Sequence, residues 1–297
     1  MATLYTHQDE NIHKTWFLMF VFLCVVILLG WALSWYLQSP IILVVAVVMA
    51  IFTNIWSYWY SDSLVIRLTR AQEADPVQFL ELHRIVENLA ITAGLPKPRV
   101  YIVNDPAPNA FATGRDPEHA VVAVTTGILG ILDRTELEGV IAHELSHVGN
   151  RDMLVSTVAV VLVGFVALLS DFFLRFTMYG GGRDNDRGVN PVFLVIGIVA
   201  AILAPIAASL IQLAISRKRE FLADASGALL TRYPEGLASA LTKISMHGRE
   251  MQHVNHATAH LFIANPFGSQ RGIGASLNRL FATHPPVEER IAALRSQ

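Results

Sequence analysis

Four long apolar runs constrain the fold of this 297-residue chain more than any other feature. They lie at 16–37, 41–60, 153–169 and 192–215. A helix rises about 1.5 Å per residue, so roughly 20 apolar residues cross the ~30 Å hydrocarbon core of a bilayer. Three of the runs are long enough to be transmembrane helices. The third, 153–169, is long enough only if its helix continues past Asp171 through Phe172 and Phe173.

The composition agrees with a membrane protein. Hydrophobic residues make up 53% of the chain and charged residues only 15%, whereas a soluble domain has about 25% charged residues. The net charge of −2 provides no cationic field for nucleic acid, so we expect the bilayer but no nucleic acid as a partner. A single cysteine excludes both a disulfide framework and a multi-cysteine zinc site.

The basic residues predict the orientation in the membrane. No Lys or Arg lies in the turn at 38–40, whereas basic residues flank the apolar runs elsewhere. The positive-inside rule therefore predicts a multi-pass protein of the plasma or inner membrane with both termini and residues 61–152 in the cytoplasm. Three arginines between the third and fourth runs oppose this orientation: Arg175, Arg183 and Arg187.

These patterns predict a membrane α+β protein with four transmembrane helices. Residues 1–60 form an N-terminal tail and two of these helices, and residues 153–215 form a transmembrane hairpin with a glycine-rich loop at 174–191. A buried hairpin of a soluble domain is the alternative for the later pair. Residues 61–152 and 216–297 together form a helix-rich cytoplasmic domain with a small sheet. Its strands are expected at 100–103, 109–113 and 120–125, and one helix is expected from Asp75-Pro76 to Gly94.

One motif carries chemistry, the sequence His143-Glu144-Leu145-Ser146-His147. Chance would produce only about 0.02 copies in a chain of this length and composition. A capping box at Thr135 and Glu138 predicts that a helix starts just before it. On that helix the two histidines lie one turn apart on one side and could bind one metal ion, while Glu144 is placed to take a proton from water.

A catalytic zinc ion usually has three protein ligands, and the best candidate for the third is Glu220. Asp224 follows it by four residues, so both lie on one face of a helix and Asp224 could orient a histidine ligand. Two of the predicted membrane crossings, or none, separate Glu220 from His143. An even number of crossings leaves both segments on the same side of the membrane.

Three segments carry a family resemblance: residues 143–152 around the motif, residues 219–225, and residues 283–291 with His284-Pro285-Pro286. In this order they resemble the HtpX membrane zinc peptidases, which are relatives of the endoplasmic-reticulum prenyl-protein (CAAX) peptidases. The resemblance covers nearly the whole chain. It implies a gluzincin fold, one zinc ion bound by His143, His147 and Glu220, and Glu144 as the general base.

The resemblance also implies a function and further site residues. It implies a zinc endopeptidase that degrades misfolded or damaged membrane proteins at the cytoplasmic face of a bacterial membrane. His284 is expected to stabilise the oxyanion or to serve as a structural cap, and Arg290 to support that site or to pair with a neighbouring glutamate. An edge strand is expected to bind the substrate by backbone pairing, or else to be a plain sheet strand. It comprises Asn109, Ala110, Phe111 and Ala112.

Three other functions compete with this interpretation. An intramembrane protease would have the motif within a span, but the charged residues around the motif oppose this. A non-enzymatic membrane adaptor and a narrow prenyl-protein processing enzyme are the other two. A second metal site at His253, His256 and His260 is conceivable from their spacing on one helical face, although no acidic partner accompanies them.

Overall fold

The computed structural model describes residues 4–36, 38–180, 217–253, 257–268 and 285–296. These residues are rich in helix and contain one small mixed sheet. The helices are α1 (Leu4–Tyr36), α2 (Pro40–Leu68), α3 (Leu80–Ala93), α4 (Thr126–Ile131), α5 (Arg134–Gly149), α6 (Asp152–Gly180), α7 (Arg217–Thr231), α8 (Pro234–Met246) and α9 (Val287–Arg295). The strands are β1 (Gln72–Glu73), β2 (Arg99–Val103), β3 (Ala110–Thr113) and β4 (Val121–Thr125).

Helices α1 and α2 are the two candidate membrane spans, at Asp9–Trp35 and Pro40–Leu68. They pack against each other so closely that a Cβ atom on Gly30 would lie 2.2 Å from the Cβ atom of Ala46. Such contacts between small residues are typical of membrane helices, whose backbones approach without large side chains between them. Trp31, Trp35 and many other large apolar side chains of the pair are exposed, as expected for surfaces that face lipid.

The third apolar run forms the first part of α6, which continues past Asp171 to Gly180 and has 29 residues. Among the described residues, a third span is obtained only by joining α5 to Asp152–Val166 across a bend of 81°. The fourth run at 192–215 and loop residues 181–191 lie outside the described residues. The described part of the chain therefore supports two or three spans, and four stays a prediction.

The sheet has the order β1-β2-β4-β3, in which β2 and β4 are parallel and the other pairs are antiparallel. The three strands expected from the sequence are confirmed, with β3 and β4 each beginning one residue later than predicted. Strand β1 was not predicted, because two residues are too few for an alternating pattern. Strand β3 lies at one edge of the sheet.

Both faces of the central sheet are covered, so β3 and β4 are entirely buried. Ala112 and Val124 point into a core that α3, α5 and α8 complete. Phe111 and Ala123 point to the other side, into a core shared with α1, α2 and α6. The alternation of side chains along a strand produces this division. The sheet therefore lies between the membrane helices and the helix that carries the histidine motif.

Helix α5 begins two residues earlier than expected, because the capping box is formed by Asp133 and Glu136 instead of Thr135 and Glu138. The Asp133 carboxylate accepts the Glu136 backbone N–H at 3.0 Å, and the Glu136 carboxylate accepts the Asp133 N–H at 2.9 Å. Glu136 also binds Lys243 of α8 at 2.7 Å. This contact favours Asp133 over Thr135 as the N-cap, because it holds Glu136, the glutamate that the capping box of Asp133 needs.

Helix α3 begins at Leu80, four residues later than predicted from Pro76. The Asp75 carboxylate accepts the backbone N–H groups of Val77 and Gln78 at 2.9 and 2.8 Å. It therefore closes a turn before the helix, as Asp commonly does when its side chain binds nearby backbone. The predicted end is confirmed: Gly94 has φ 67° and caps the helix in the left-handed conformation.

Candidate metal centre

The two motif histidines lie side by side on α5. Their Nε2 atoms are 3.2 Å apart, and their rings are almost perpendicular, at 89°. His143 is buried and His147 is partly buried. The spacing of four residues produces this geometry directly, because residues i and i+4 lie one above the other on a helix.

Helix α7 brings Glu220 to the same point. Its Oε1 atom lies 3.6 Å from Nε2 of His147, and its Oε2 atom lies 3.8 Å from Nε2 of His143. Ligands about 2.0–2.1 Å from a tetrahedral zinc ion are separated by roughly 3.3 Å. The two observed separations involve different oxygens of one carboxylate and are 0.3–0.5 Å longer than this value, and one ligand atom from each of the three residues lies within 4.8 Å of the others. These three residues could therefore hold a metal ion.

Asp224 fixes the ring of His143. Its Oδ1 atom lies 2.9 Å from Nδ1 of His143, which leaves Nε2 directed toward Glu220. Arg290 of α9 binds the same carboxylate twice, through Nε at 2.8 Å and Nη2 at 2.6 Å. Burial opposes ionisation of Asp224, but the hydrogen bonds from Arg290 and His143 lower its pKa to about 2. Asp224 is therefore a permanently charged acceptor for the histidine, as is common behind metal ligands.

Asp152 supports the second histidine. It lies at the first position of α6, and its Oδ2 atom is 3.2 Å from Nδ1 of His147. Each histidine of the pair thus has its own carboxylate behind it. An acceptor at Nδ1 fixes the tautomer in which Nε2 carries the free lone pair.

The electrostatics of the site favour a cation. Burial lowers the pKa of His143 to about 4, so this ring is neutral and able to act as a ligand. Burial also disfavours the charged form of His147, but the hydrogen bond to Asp152 and the charges of Glu220 and Glu144 raise its pKa to about 9. The side chain of Glu144 is itself buried next to the pair. The carboxylates around His147 therefore stabilise positive charge on its side of the site, whereas the His143 ring is neutral.

The expected substrate strand lies at the edge of the sheet and packs against α5. The side chain of Asn109, the first residue of this segment, is hydrogen-bonded to Ala264. It accepts the Ala264 backbone N–H at 3.1 Å and donates to the Ala264 carbonyl at 3.0 Å. The Ala110 carbonyl accepts the Ile263 N–H at 2.9 Å. Among the described residues no other strand pairs with this edge beyond Ala110. Strand β3 is nevertheless buried along its whole length, with Ala112 only 5% exposed, so substrate pairing at this edge stays a prediction.

His253 and His260, two of the three histidines for which a second metal site was conceivable, do not form a metal cluster among the described residues. His253 bonds to Arg70 at 2.9 Å, whereas His260 contacts the backbone carbonyl of Ser156 at 3.1 Å. His253 lies in a bend and His260 in a short 3-10 turn, so neither is on the shared α-helical face considered from the sequence. His256 and His284 lie outside the described residues.

Sequence reasoning missed the role of Asp152 and the partner of Arg290. Asp152 follows His147 by five residues, but nothing in that spacing predicts a contact across the break between two helices. Arg290 was expected beside the site or paired with Glu288 or Glu289; the structure pairs it with Asp224. The buried position of Arg290 was the missing information, because a fully buried guanidinium requires a carboxylate partner.

Together, the membrane helices, the small sheet and the His–His–Glu cluster define a membrane metalloprotease. A family model described as peptidase family M48 matches residues 76–297, and the chain belongs to this family. It is 46% identical to a "Protease HtpX homolog" of Caldanaerobacter subterraneus subsp. tengcongensis, over 99% of this chain and 98% of that protein. The homologue of Pyrococcus furiosus is 54% identical over 85% of this chain and 86% of its own.

A solved structure shows a similar fold. The crystal structure of S. mikatae Ste24p aligns with a TM-score of 0.52 and 15% sequence identity, and covers 98% of this chain and 67% of that one. At this identity the likeness concerns the fold alone. It agrees with the arrangement of helices and sheet described above.

Proposed function

We propose that the chain is a zinc endopeptidase in which His143, His147 and Glu220 bind one zinc ion. The observation that carries the proposal is the convergence of His143, His147 and Glu220, whose candidate ligand atoms all lie within 4.8 Å of one another. The two carboxylates behind the histidines support it further, since neutral imidazole with an acceptor at Nδ1 is the usual zinc ligand. Nitrogen and carboxylate donors without cysteine are typical of hydrolytic zinc sites.

In this proposal the chain supplies the proton transfers and the geometry. Zinc, when bound, polarises the carbonyl of the scissile peptide and acidifies a water molecule. The Glu144 carboxylate takes a proton from the attacking water and later delivers it to the leaving nitrogen. Asp224 and Asp152 hold the histidine rings so that both Nε2 atoms keep their direction during the reaction.

The spacing between α5 and α7 should control zinc affinity. A Cβ atom on Gly227 would lie 3.0 Å from the backbone nitrogen of His143, so Gly227→Ala requires the backbones of the two helices to shift by a few tenths of an ångström. We expect a weaker zinc affinity and a destabilisation of about 1–3 kcal/mol. Competition with a chelator and thermal unfolding measure the two effects. Gly130→Ala is the control, because a Cβ atom added at Gly130 would have no neighbour within 4 Å; equal affinities in both variants would contradict the expectation.

The proposed substrates are misfolded or damaged membrane proteins, cleaved at the cytoplasmic face. The histidine helix packs on a sheet whose other face contacts α1, α2 and α6, which supports a site near the bilayer surface. The edge position of β3 supports binding of extended segments by backbone pairing, which demands little of the substrate sequence. Four spans, a cytoplasmic domain formed by 61–152 and 216–297, and a role for His284 at the oxyanion belong to the same proposal.

Digestion of defined substrates tests this substrate class. The purified chain should cleave a membrane protein unfolded in detergent at several positions and leave the folded form intact. A prenylated peptide is the matched substrate for the competing function in prenyl-protein processing. Cleavage of that peptide alone, at one position, would reject general proteolysis of membrane proteins.

A further inference from the structure

A polar residue of the first membrane helix reaches the metal centre. Asn11 lies on α1 five residues before the first apolar run and is only 3% exposed. Its side-chain nitrogen donates to Oδ1 of Asp152 at 2.6 Å and to the backbone carbonyl of Asn150 at 3.0 Å. Both partners lie in the junction between α5 and α6, about 140 residues further along the chain.

The same carboxylate supports a predicted zinc ligand. While Oδ1 of Asp152 accepts from Asn11, Oδ2 lies 3.2 Å from Nδ1 of His147. The two oxygens of one carboxylate thus join the membrane helix to the histidine. A rotation of the Asp152 side chain would break both contacts.

Arg219 closes this arrangement from α7, one residue before Glu220. Its Nη1 atom donates to Oδ1 of Asn11 at 3.1 Å, and its Nε atom lies 3.6 Å from Oδ1 of Asp152. The side-chain amide of Asn11 can bond to both Asp152 and Arg219, because it carries a donor and an acceptor. It therefore links the segment that carries His147 with the segment that carries Glu220.

We propose that Asn11 is a positioning residue of the zinc site, acting through the contact between Asp152 and His147. The inference rests on the proposed function, because it takes His147 as a zinc ligand. It makes the first membrane helix a component of the metal site as well as an anchor. Outer partners of metal ligands typically contribute a factor of 10–100 in metal affinity, because they fix the ligand ring and its tautomer.

The zinc affinity of the full-length protein in detergent tests the inference, with Zn²⁺ alone as the probe and a chelator as the competitor. Asn11→Ala should bind zinc roughly tenfold more weakly than the parent. Thr15→Ala is the matched control: Thr15 is buried one turn further along α1, and its hydroxyl donates to the Asn11 carbonyl at 2.9 Å. The zinc affinity of Thr15→Ala should stay within about twofold of the parent, because the lost hydrogen bond is to the backbone of α1 and not to a partner of a metal ligand.

A double-variant comparison separates positioning from general stability. If Asn11 acts through Asp152, adding Asn11→Ala to Asp152→Ala should cause no further loss of affinity. The inference would be overturned if Asn11→Ala bound zinc as tightly as the parent. It would also be overturned if Asn11→Ala lowered the zinc affinity of Asp152→Ala by the same factor as it lowers that of the parent. A lower melting temperature of Asn11→Ala in chelator with parental zinc affinity would also overturn it, since the role would then be structural. A parent that binds no zinc, or keeps it in His147→Ala, would refute the proposed function itself.

Discussion

Glu144→Gln is expected to keep its zinc and to hydrolyse peptide bonds about 10²–10⁴-fold more slowly than the parent. Glutamine has nearly the same shape as glutamate, so the buried position beside the histidines is filled as before. The amide cannot accept a proton from water at neutral pH, and the base of the proposed mechanism is thereby removed. Metal analysis and a quantitative digestion assay on the same preparation provide the two measurements.

Glu138→Gln is the matched control for this variant. Glu138 lies on the same helix, is partly exposed and pairs with Arg134 at 3.0 Å. An ion pair of this kind contributes about 0–1 kcal/mol, so the fold and the activity should be preserved. Undiminished hydrolysis by Glu144→Gln would reject Glu144 as the base, and loss of zinc would mean that the variant has damaged the site instead.

His147→Ala is expected to lose about one equivalent of zinc per chain. The proposed site has three protein ligands. Without the His147 ring only His143 and Glu220 remain, and two ligands are too few to hold the ion against a chelator. Hydrolysis should fall with the metal content. A ligand that binds only the folded protein stabilises it, so zinc should raise the melting temperature of the parent but not of the variant.

His247→Ala is the control for the zinc measurement. His247 is exposed at the end of α8, and its ring contacts the Lys243 carbonyl at 2.9 Å. It should retain the parental zinc content. An unchanged zinc content in His147→Ala would show that the metal binds elsewhere, and the proposed ligand set would have to be abandoned.

The sequence predicted those parts of the site that depend on one helix. His143 and His147 needed only a spacing of four residues on a helix, and Glu220 with Asp224 needed the same spacing on another. The strands of the sheet were likewise predictable from short apolar runs between turn residues. Errors occurred at helix starts, where Asp75 and Asp133 offered caps whose choice depends on neighbouring residues.

The supports of the site were not predictable in this way. Asn11 and Asp152 are separated by 141 positions, and no local pattern indicates that they meet. Arg290 had two adjacent glutamates as candidate partners but binds Asp224 on another helix. Such choices depend on which polar groups lose their water when the helices pack, because a buried charge needs a partner within reach.

By itself, the sequence determined the class of this protein: apolar runs of membrane length and a histidine motif whose chemistry follows from helical periodicity. Only the tertiary structure decided that the sheet lies between the membrane helices and α5, and that the first membrane helix contacts the residues behind His147. The physical reason is the distance along the chain over which each interaction acts. Periodicity and capping act within a few residues, whereas burial and the pairing of buried charges are fixed only when distant segments have come together.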